Sequence, residues 1–313
     1  MNNKTKNVLA VLLVIGCGAC GSVHRWRSAT LLYFDTVCEL RVYCLPERFP
    51  QIKADVQAVF ARIEDLFSPS RAVLDHPDVL FLFQKSIDIH RLSGGAFDIT
   101  VGPLSDLWGF YTKEHHVPEK NEIIRVLKTI GMNRISFLKE GLALPSGMRL
   151  DWGGIAKGFG IDRAVEKMRE TGVPRGFINA GGDLFCWGMN PENQEWRVGI
   201  QHPRRAGYLA VLPLSDEGAA TTGDYQRYFI RNGVRYHHVF NPATGYPAEG
   251  KQSVTVYGPE TLVCDALSTA LFVSAEPEQI LAHFKDYGAV IVDGSGRIQT
   301  IGRPISLQYT DKR

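Results

Sequence analysis

Tyr228-Phe229-Ile230-Arg231-Asn232-Gly233-Val234-Arg235-Tyr236 reads as a β-hairpin. Asn232-Gly233 supplies the two left-handed positions of a type I′ turn, and β-branched and aromatic residues flank it on both sides. Antiparallel pairing through a tight turn is thus one ingredient of the fold, and helices are the other. Ile52, Val56, Val59, Phe60, Ile63 and Phe67 recur at helical spacing just after Pro50. A second helix is predicted over Pro77–Leu92, stopped by Gly94-Gly95, since glycine is the usual residue just past a helix end. A third is expected over 119–130, with Gly131 as its stop.

The remaining elements interleave. Residues 31–44 alternate as one strand: Leu32, Phe34, Cys38, Leu40, Val42 and Cys44 face one way, Asp35, Glu39 and Arg41 the other. From Leu150 onward glycine-rich turns separate short strands and helices. Ile161, Val165 and Met168 mark a helix that ends at Gly172, ahead of Pro174. Residues 177–186 and 196–201 read as strands, and a strand at 253–257 leads into a helix over 260–274. A further helix follows Pro277, and 289–301 reads as a closing hairpin. Hairpins mixed with helices, without a βαβ rhythm, internal repeat or linker, predict an α+β fold: a single compact domain of mixed and antiparallel sheets with packed helices.

The chain has 313 residues, 44% of them hydrophobic and 22% charged, an ordinary globular composition. Lys plus Arg is 35 against 33 for Asp plus Glu, a net charge of +2, and no basic run occurs. Nothing there argues for nucleic acid, and a small-molecule or protein substrate is the better default. At the N-terminus, Lys4 and Lys6 precede an apolar run, Val8 to Ile15, too short to span a bilayer. The run ends in Val14-Ile15-Gly16-Cys17, which resembles a bacterial lipobox with Cys17 as the lipidated residue. Cys20 is the second candidate, and an ordinary secretion signal is the plainer alternative. The expected organisation is a signal peptide at 1–17, a tether at 18–30 and one domain at 31–305. The product would be an exported bacterial lipoprotein, anchored by its lipid at the periplasm-facing side of the inner membrane. Beyond the signal lie Cys38, Cys44, Cys186 and Cys264. Cys38 and Cys44 share a strand and would sit roughly 20 Å apart, too far for a mutual disulfide, so buried free thiols are expected.

Five segments have the residue types for chemistry. Leu150-Asp151-Trp152-Gly153-Gly154-Ile155-Ala156-Lys157-Gly158-Phe159-Gly160 runs into a helix start. Its glycines and Lys157 make either a phosphate cradle or a turn that needs small residues beside a solvated lysine. Asn179-Ala180-Gly181-Gly182-Asp183 is a strand with a glycine pair, either a ligand approach or a kink. Asp265, Ser268 and Thr269 share one helix face and offer hard oxygens of the kind Mg²⁺ prefers, or a hydrogen-bonded polar patch. His237-His238-Val239-Phe240-Asn241-Pro242 leaves the hairpin for a loop, where a histidine orients or deprotonates an acceptor, or only caps the strand. Gly94-Gly95-Ala96-Phe97-Asp98-Ile99-Thr100 places an aspartate between apolar residues on an expected strand, facing a ligand hydroxyl or a neighbouring amide.

Taken in order, these segments together with Ala220-Thr221-Thr222-Gly223 resemble the ApbE family, the FAD:protein FMN transferases, across about residues 30–300. The resemblance implies Mg²⁺ held by Asp265 and Thr269, with Ser268 and backbone oxygen from Gly154 to Ala156 nearby. It implies FAD, as substrate, against Phe34, Ala96, Phe97, Asp98, Asp151, Lys157 and Val239. Gly181, Gly182, Asp183 and Thr222 would line the pocket, and His238 would lie near the pyrophosphate, making His238 and Asp265 the catalytic pair. The implied reaction attaches FMN through a phosphoester to a Thr or Ser of a partner protein and releases AMP. Implied partners are acceptor flavoprotein subunits of membrane electron-transport complexes. The same metal site would serve an FAD pyrophosphatase, and a non-catalytic flavin-binding lipoprotein is the third reading. Two stretches depart from the family pattern: Phe34-Asp35-Thr36 stands where relatives carry Met-Gly-Thr, and residues 68–74 are a shortened form of a Ser-rich stretch. Ser268 also occupies a position where many relatives have aspartate.

Overall fold

The computed structural model describes residues 23–68, 74–112, 114–138 and 141–310. The chain opens with β1 (Arg25–Tyr33) and β2 (Thr36–Cys44), then α1 (Phe49–Leu66), α2 (Pro77–Leu92), α3 (Gly102–Leu107) and α4 (Lys120–Leu127). A short pair, β3 (Ser136–Leu138) and β4 (Gly141–Ala143), precedes α5 (Ala156–Glu170). Seven strands follow: β5 (Gly176–Ala180), β6 (Asp183–Trp187), β7 (Trp196–Gln201), β8 (Tyr208–Leu214), β9 (Glu217–Gly223), β10 (Tyr228–Arg231) and β11 (Val234–His237). The chain closes with β12 (Lys251–Gly258), α6 (Thr261–Val273), α7 (Pro277–Leu281), β13 (Gly288–Asp293), β14 (Ile298–Gly302) and β15 (Gln308–Tyr309).

An eight-stranded sheet, ordered β1-β2-β5-β6-β9-β12-β13-β14, is antiparallel at every pairing. Because strand side chains alternate between faces, β12 sends Val254 and Val256 to one side, against α6, and Thr255 and Tyr257 to the other. On that other side the three-stranded sheet β15-β8-β7 covers Leu184, Cys186, Ala219 and Tyr257. Helices α1, α5 and α6 pack on the first face. Helix α6 is buried almost all round, Leu262, Ala266, Leu267, Ala270 and Leu271 being part of the main core. A helix apolar on every side can be stable only inside the protein. The α+β expectation holds, as do the hairpins at 228–236 and 289–301 and the helix over Pro77–Leu92.

Local details differ from the periodicity reading. Residues 31–44 are two strands, reversed at Phe34 and Asp35, both in left-handed backbone (φ 57° and 55°). The turn moves the buried side chain from Leu32 to Leu31, leaving Leu32 76% exposed. A left-handed phenylalanine costs about 1–2 kcal/mol. The Phe34 ring offsets this by packing on Phe60 and against Gly160. Residues 177–186 likewise split into β5 and β6 around Gly181 and Gly182 (φ 64° and 105°). Residues 94–100 form turns rather than a strand, and α4 ends at Leu127 ahead of a single 3₁₀ turn at Met132–Arg134. The expected boundaries at 31 and 305 fall inside the fold, since β1 starts at Arg25 and β15 pairs with β8 at Gln308–Tyr309. The expected signal peptide, Cys17 and most of residues 68–74 lie outside the described residues. Cys38, Cys44, Cys186 and Cys264 are buried and unbridged.

Helices α5 and α6 approach closely at Gly158 of α5, where an added Cβ would stand 2.5 Å from the Thr261 carbonyl oxygen of α6. Alanine favours a helix over glycine by about 1 kcal/mol, but here overpacking against backbone outweighs it. Gly158→Ala should therefore lower stability by about 1–3 kcal/mol. Denaturant unfolding checks this, and an unchanged or raised midpoint would mean the helices are free to separate.

Candidate active site

The site is built where α5 meets α6. The first N–H groups of a buried helix need partners, and Asp162 of α5 supplies them: its carboxylate accepts from Thr261 N at 2.9 Å and Leu262 N at 2.8 Å. Burial lifts the Asp162 pKa to about 6, against the pull of those N–H groups. One turn along α6, Asp265 Oδ2 accepts from Gly158 N at 3.1 Å. Lys157 Nζ lies 2.8 Å from Asp183 Oδ2 and 3.7 Å from Asp265 Oδ2. Asp183, at the start of β6, also accepts from Thr221 N through Oδ1 at 3.3 Å.

Two buried carboxylates thus share one ammonium. Burial first, and then the Asp183 charge, raise the Asp265 pKa to about 7, with Lys157 pulling the other way. Burial works against the Lys157 charge, yet Asp183 and Asp265 outweigh it and hold its pKa above the ordinary lysine value. The hydroxyls beside this cluster are ordered by proton count. Ser268 Oγ donates to the Asp265 carbonyl at 2.8 Å, so Thr222 Oγ1, 2.7 Å away, donates to Ser268. Thr222 then accepts from Thr269 Oγ1 at 3.2 Å, leaving the Thr269 lone pairs free. Gly154 permits close approach here, since a Cβ would come within 3.0 Å of Thr269 Oγ1 and 3.5 Å of the Phe97 ring.

A cavity of about 140 Å³ opens over this group. Asp265, Thr269, Thr222 and Gly154 line it, as do Ala96, Phe97, Asp98, Asp151, His238 and Val239. Asp98 Oδ1 is turned into its own loop, accepting from Thr100 N at 2.7 Å and Thr100 Oγ1 at 2.5 Å. Asp151 accepts from Gly153 N and from Ser105 Oγ, both at 2.9 Å. The remaining sequence candidates lie off the cavity wall. Phe34 packs into the core, Gly181 and Gly182 form the β5–β6 turn, and Lys157 and Asp183 form their ion pair beside the cavity. Ser268 sits behind Thr222, and Ala156 begins α5. Among the described residues no cluster of three or more His, Cys, Asp or Glu side chains is arranged for a metal, so a cation here would rely on one carboxylate, hydroxyls and backbone carbonyls.

The two histidines after β11 have opposite fates. His237 Nε2 donates to the Ala248 carbonyl at 2.8 Å and Nδ1 accepts from Val239 N at 3.3 Å, which fixes it as structural. His238 Nδ1 lies 3.2 Å from the Arg227 carbonyl, an acceptor only, so Nδ1 carries the hydrogen and Nε2 keeps its lone pair. Burial first, then the charge of Arg227, lower its pKa to about 3. Sequence reasoning missed Ser105, Phe110, Tyr111 and Arg227, which also line the cavity. The signal was the run Leu107-Trp108-Gly109-Phe110-Tyr111, aromatic residues around a left-handed glycine (φ 78°).

An antiparallel sheet under buried helices, with a carboxylate–hydroxyl group at the helix crossing, defines the class that comparison with known structures returns. The fold is similar to the crystal structure of the ApbE protein from Thermotoga maritima, with a TM-score of 0.82 and 30% identity over 88% of this chain and 97% of that one. The flavin transferase ApbE from Vibrio cholerae has the same fold, with a TM-score of 0.79 at 22% identity, covering 90% of this chain and 97% of that one. The ApbE family profile matches residues 34–292, and the chain belongs to the ApbE family. It is 29% identical to the FAD:protein FMN transferase of Treponema pallidum over 84% of this chain and 83% of that relative. The Haemophilus influenzae FAD:protein FMN transferase is 33% identical over 65% of this chain, and the alignment spans 62% of that relative.

A histidine held neutral in the fold binds fewer protons than it does unfolded, so its contribution to stability is present above pH 6.5 and lost as pH falls toward 3. His238→Gln should therefore lose less stability than the wild type between pH 6.5 and pH 4, read from melting temperatures across that range. Parallel slopes would place the imidazole in solvent.

Proposed function

We propose that this chain is a magnesium-dependent FAD:protein FMN transferase that moves FMN to a Thr or Ser hydroxyl of a partner protein and releases AMP. The observation that carries this reading is the Asp265–Thr269–Gly154 group at the cavity wall. Burial first, and then the negative charge of Asp183 across the one shared lysine, raise the Asp265 pKa to about 7. A divalent cation offsets that charge, and the free Thr269 lone pairs and nearby backbone carbonyls are the hard oxygens it prefers. Asp265, Thr269 and the backbone of Gly154 and Ala156 would hold it, with Ser268 orienting the set from behind. A cation held by these residues would supply neutralisation of charge on the pyrophosphate and on the departing AMP.

Lys157 opposes the rise in the Asp265 pKa and adds positive charge beside the cavity. Asp98, Asp151, Phe97, Ala96 and Val239 enclose the dinucleotide. The acceptor oxygen bonds to the FMN phosphorus as the bond to the AMP oxygen breaks, and the hydroxyl proton passes to the lone pair on His238 Nε2. With its pKa lowered to about 3 the imidazole is a weak base, and a negative pyrophosphate beside it would raise that pKa by favouring the imidazolium. The partners proposed are flavoprotein subunits of membrane electron-transport complexes. A lipid on Cys17 would hold the enzyme at the periplasm-facing surface of the inner membrane and raise its effective concentration near them. Among the described residues no helix is long and apolar enough to cross a membrane.

The test uses the chain from Gly21 onward with FAD, Mg²⁺ and a soluble acceptor domain, following acceptor mass and AMP together. An acceptor heavier by one FMN with matching AMP is the expected result. AMP with free FMN and an unmodified acceptor would replace the transferase with an FAD pyrophosphatase, and FAD binding without AMP would leave a non-catalytic flavin carrier. Asp265→Asn, which keeps the side-chain shape, should cut AMP release by at least about 100-fold, the scale of losing one electrostatic stabiliser. EDTA should stop the wild type and Mg²⁺ restore it, and turnover persisting in EDTA would remove the metal from the mechanism.

A further inference from the structure

Strands β10 and β11 form a sheet of two, with no third strand among the described residues. One face is anchored, Phe229 and Tyr236 packing against the core of Trp108, Phe110 and Phe240. The other carries Tyr228 and Ile230, both exposed. Asn232 and Gly233 are left-handed (φ 50° and 76°), as a type I′ turn requires, so Arg231 and Val234 form the hydrogen-bonded pair that closes it. Antiparallel pairs alternate between bonded and non-bonded, which makes 229 and 227 the next bonded positions on this strand. The Arg227 carbonyl accordingly accepts from His238 N at 3.2 Å. The N–H and C=O groups of Tyr228 and Ile230 therefore point away from β11, and none has a backbone partner among the described residues. Exposed edges are commonly blocked by a proline, a lysine or a bulge, and Tyr228–Arg231 has none of these.

This open edge leads to the cavity. Gln226 and Arg227, which run into β10, line the cavity wall, and the Arg227 carbonyl also holds His238 through Nδ1 at 3.2 Å. Resting on the transferase reading above, we propose that the outer edge of β10 docks the acceptor protein. An acidic, extended segment of the acceptor pairs there as a third strand and brings its Thr or Ser hydroxyl to the cavity beside His238. Strand addition draws affinity from main-chain hydrogen bonds. Ile230 and Arg227 are about 10 Å apart along an extended chain, so the hydroxyl belongs about three or four residues beyond the one opposite Ile230. Charge selects the occupant. From Tyr225 to Ala248 the chain has Arg227, Arg231 and Arg235 and no carboxylate. Arg227 and Arg235 donate to the backbone carbonyls of Phe110 and Asp224, at 2.9 and 3.3 Å, which fixes them without neutralising them. Arg231 is exposed beside the turn. These charges attract an acidic segment and oppose a second copy of the chain, because two hairpins paired edge to edge bring like charges together.

The test compares wild type with Ile230→Pro and Arg231→Glu, and its probe is the soluble flavoprotein-subunit domain of the transfer assay. Proline at 230 removes only an outward N–H, so it blocks a third strand while the hairpin keeps its own bonds. Ile230→Pro should raise the acceptor KM at least about tenfold, the scale of one or two lost hydrogen bonds. Arg231→Glu should raise it about threefold to tenfold at low salt and less at high salt, where surface charges are screened. Turnover at saturating acceptor, the FAD Kd and acceptor-free AMP release should stay at wild-type values, which separates docking from damage to the catalytic group. Arg231→Glu, at an exposed position, carries the test alone should Ile230→Pro fold poorly. An unchanged acceptor KM in Arg231→Glu at low salt, or in a folded Ile230→Pro, would overturn the docking surface and leave the transferase standing. A wild-type dimer that Ile230→Pro turns into a monomer, read by sedimentation, would overturn it by giving the edge to a second copy. Wild type that binds FAD and modifies no acceptor would instead remove the transferase reading, and the docking surface with it.

Discussion

Helix α6 is buried on nearly every side, and a buried helix start exposes unpaired N–H groups to a medium that cannot solvate them. Asp162 of α5, ninety-nine residues earlier in the chain than Thr261, accepts from the first two of these groups. The side-chain cap is therefore tertiary, and it locks α5 to α6 at the point where Gly158 lets their backbones touch. Asp265, Ser268 and Thr269 inherit their positions from that crossing. If it were loosened, the polar face of α6 would have nothing to meet.

The same crossing creates the electrostatic condition of the site. Asp265 faces Asp183 across a single lysine, in surroundings where charges are poorly screened, so the cluster holds more negative charge than its own residues neutralise. Such a deficit is a standing cost in the free protein. It is the arrangement expected where a cation and phosphate groups complete the charge balance, as in the flavin transfer proposed for this chain. His238 extends the idea to a neutral group, held through Nδ1 so that the Nε2 lone pair is left open.

Much of this could be read from residue order. Periodicity placed Pro77–Leu92, the 228–236 hairpin and α6, because each obeys one clear spacing with a turn residue at its end. Each failure has its own physical cause. Phe34-Asp35 and Gly181-Gly182 reverse the chain within two residues, and a two-residue reversal between alternating strands leaves the period-two pattern nearly unbroken. Helix α3 is too short for periodicity to register, so Ser105, Phe110 and Tyr111 went unseen although they line the cavity. Phe34, Gly181, Gly182 and Lys157 were singled out in the sequence yet lie off the cavity wall, since a motif records which residues travel together and not which way each side chain faces.

By itself, the sequence determined the α+β class, most helices and hairpins, and the family, since these depend on local spacing and on ordered motifs. Tertiary structure decided which oxygens share one site and which histidine is neutral with a free nitrogen. Those properties arise from groups about 40 to 110 residues apart meeting in a poorly solvated interior, where burial and a neighbouring charge, neither visible in a linear chain, set protonation and hydrogen bonding.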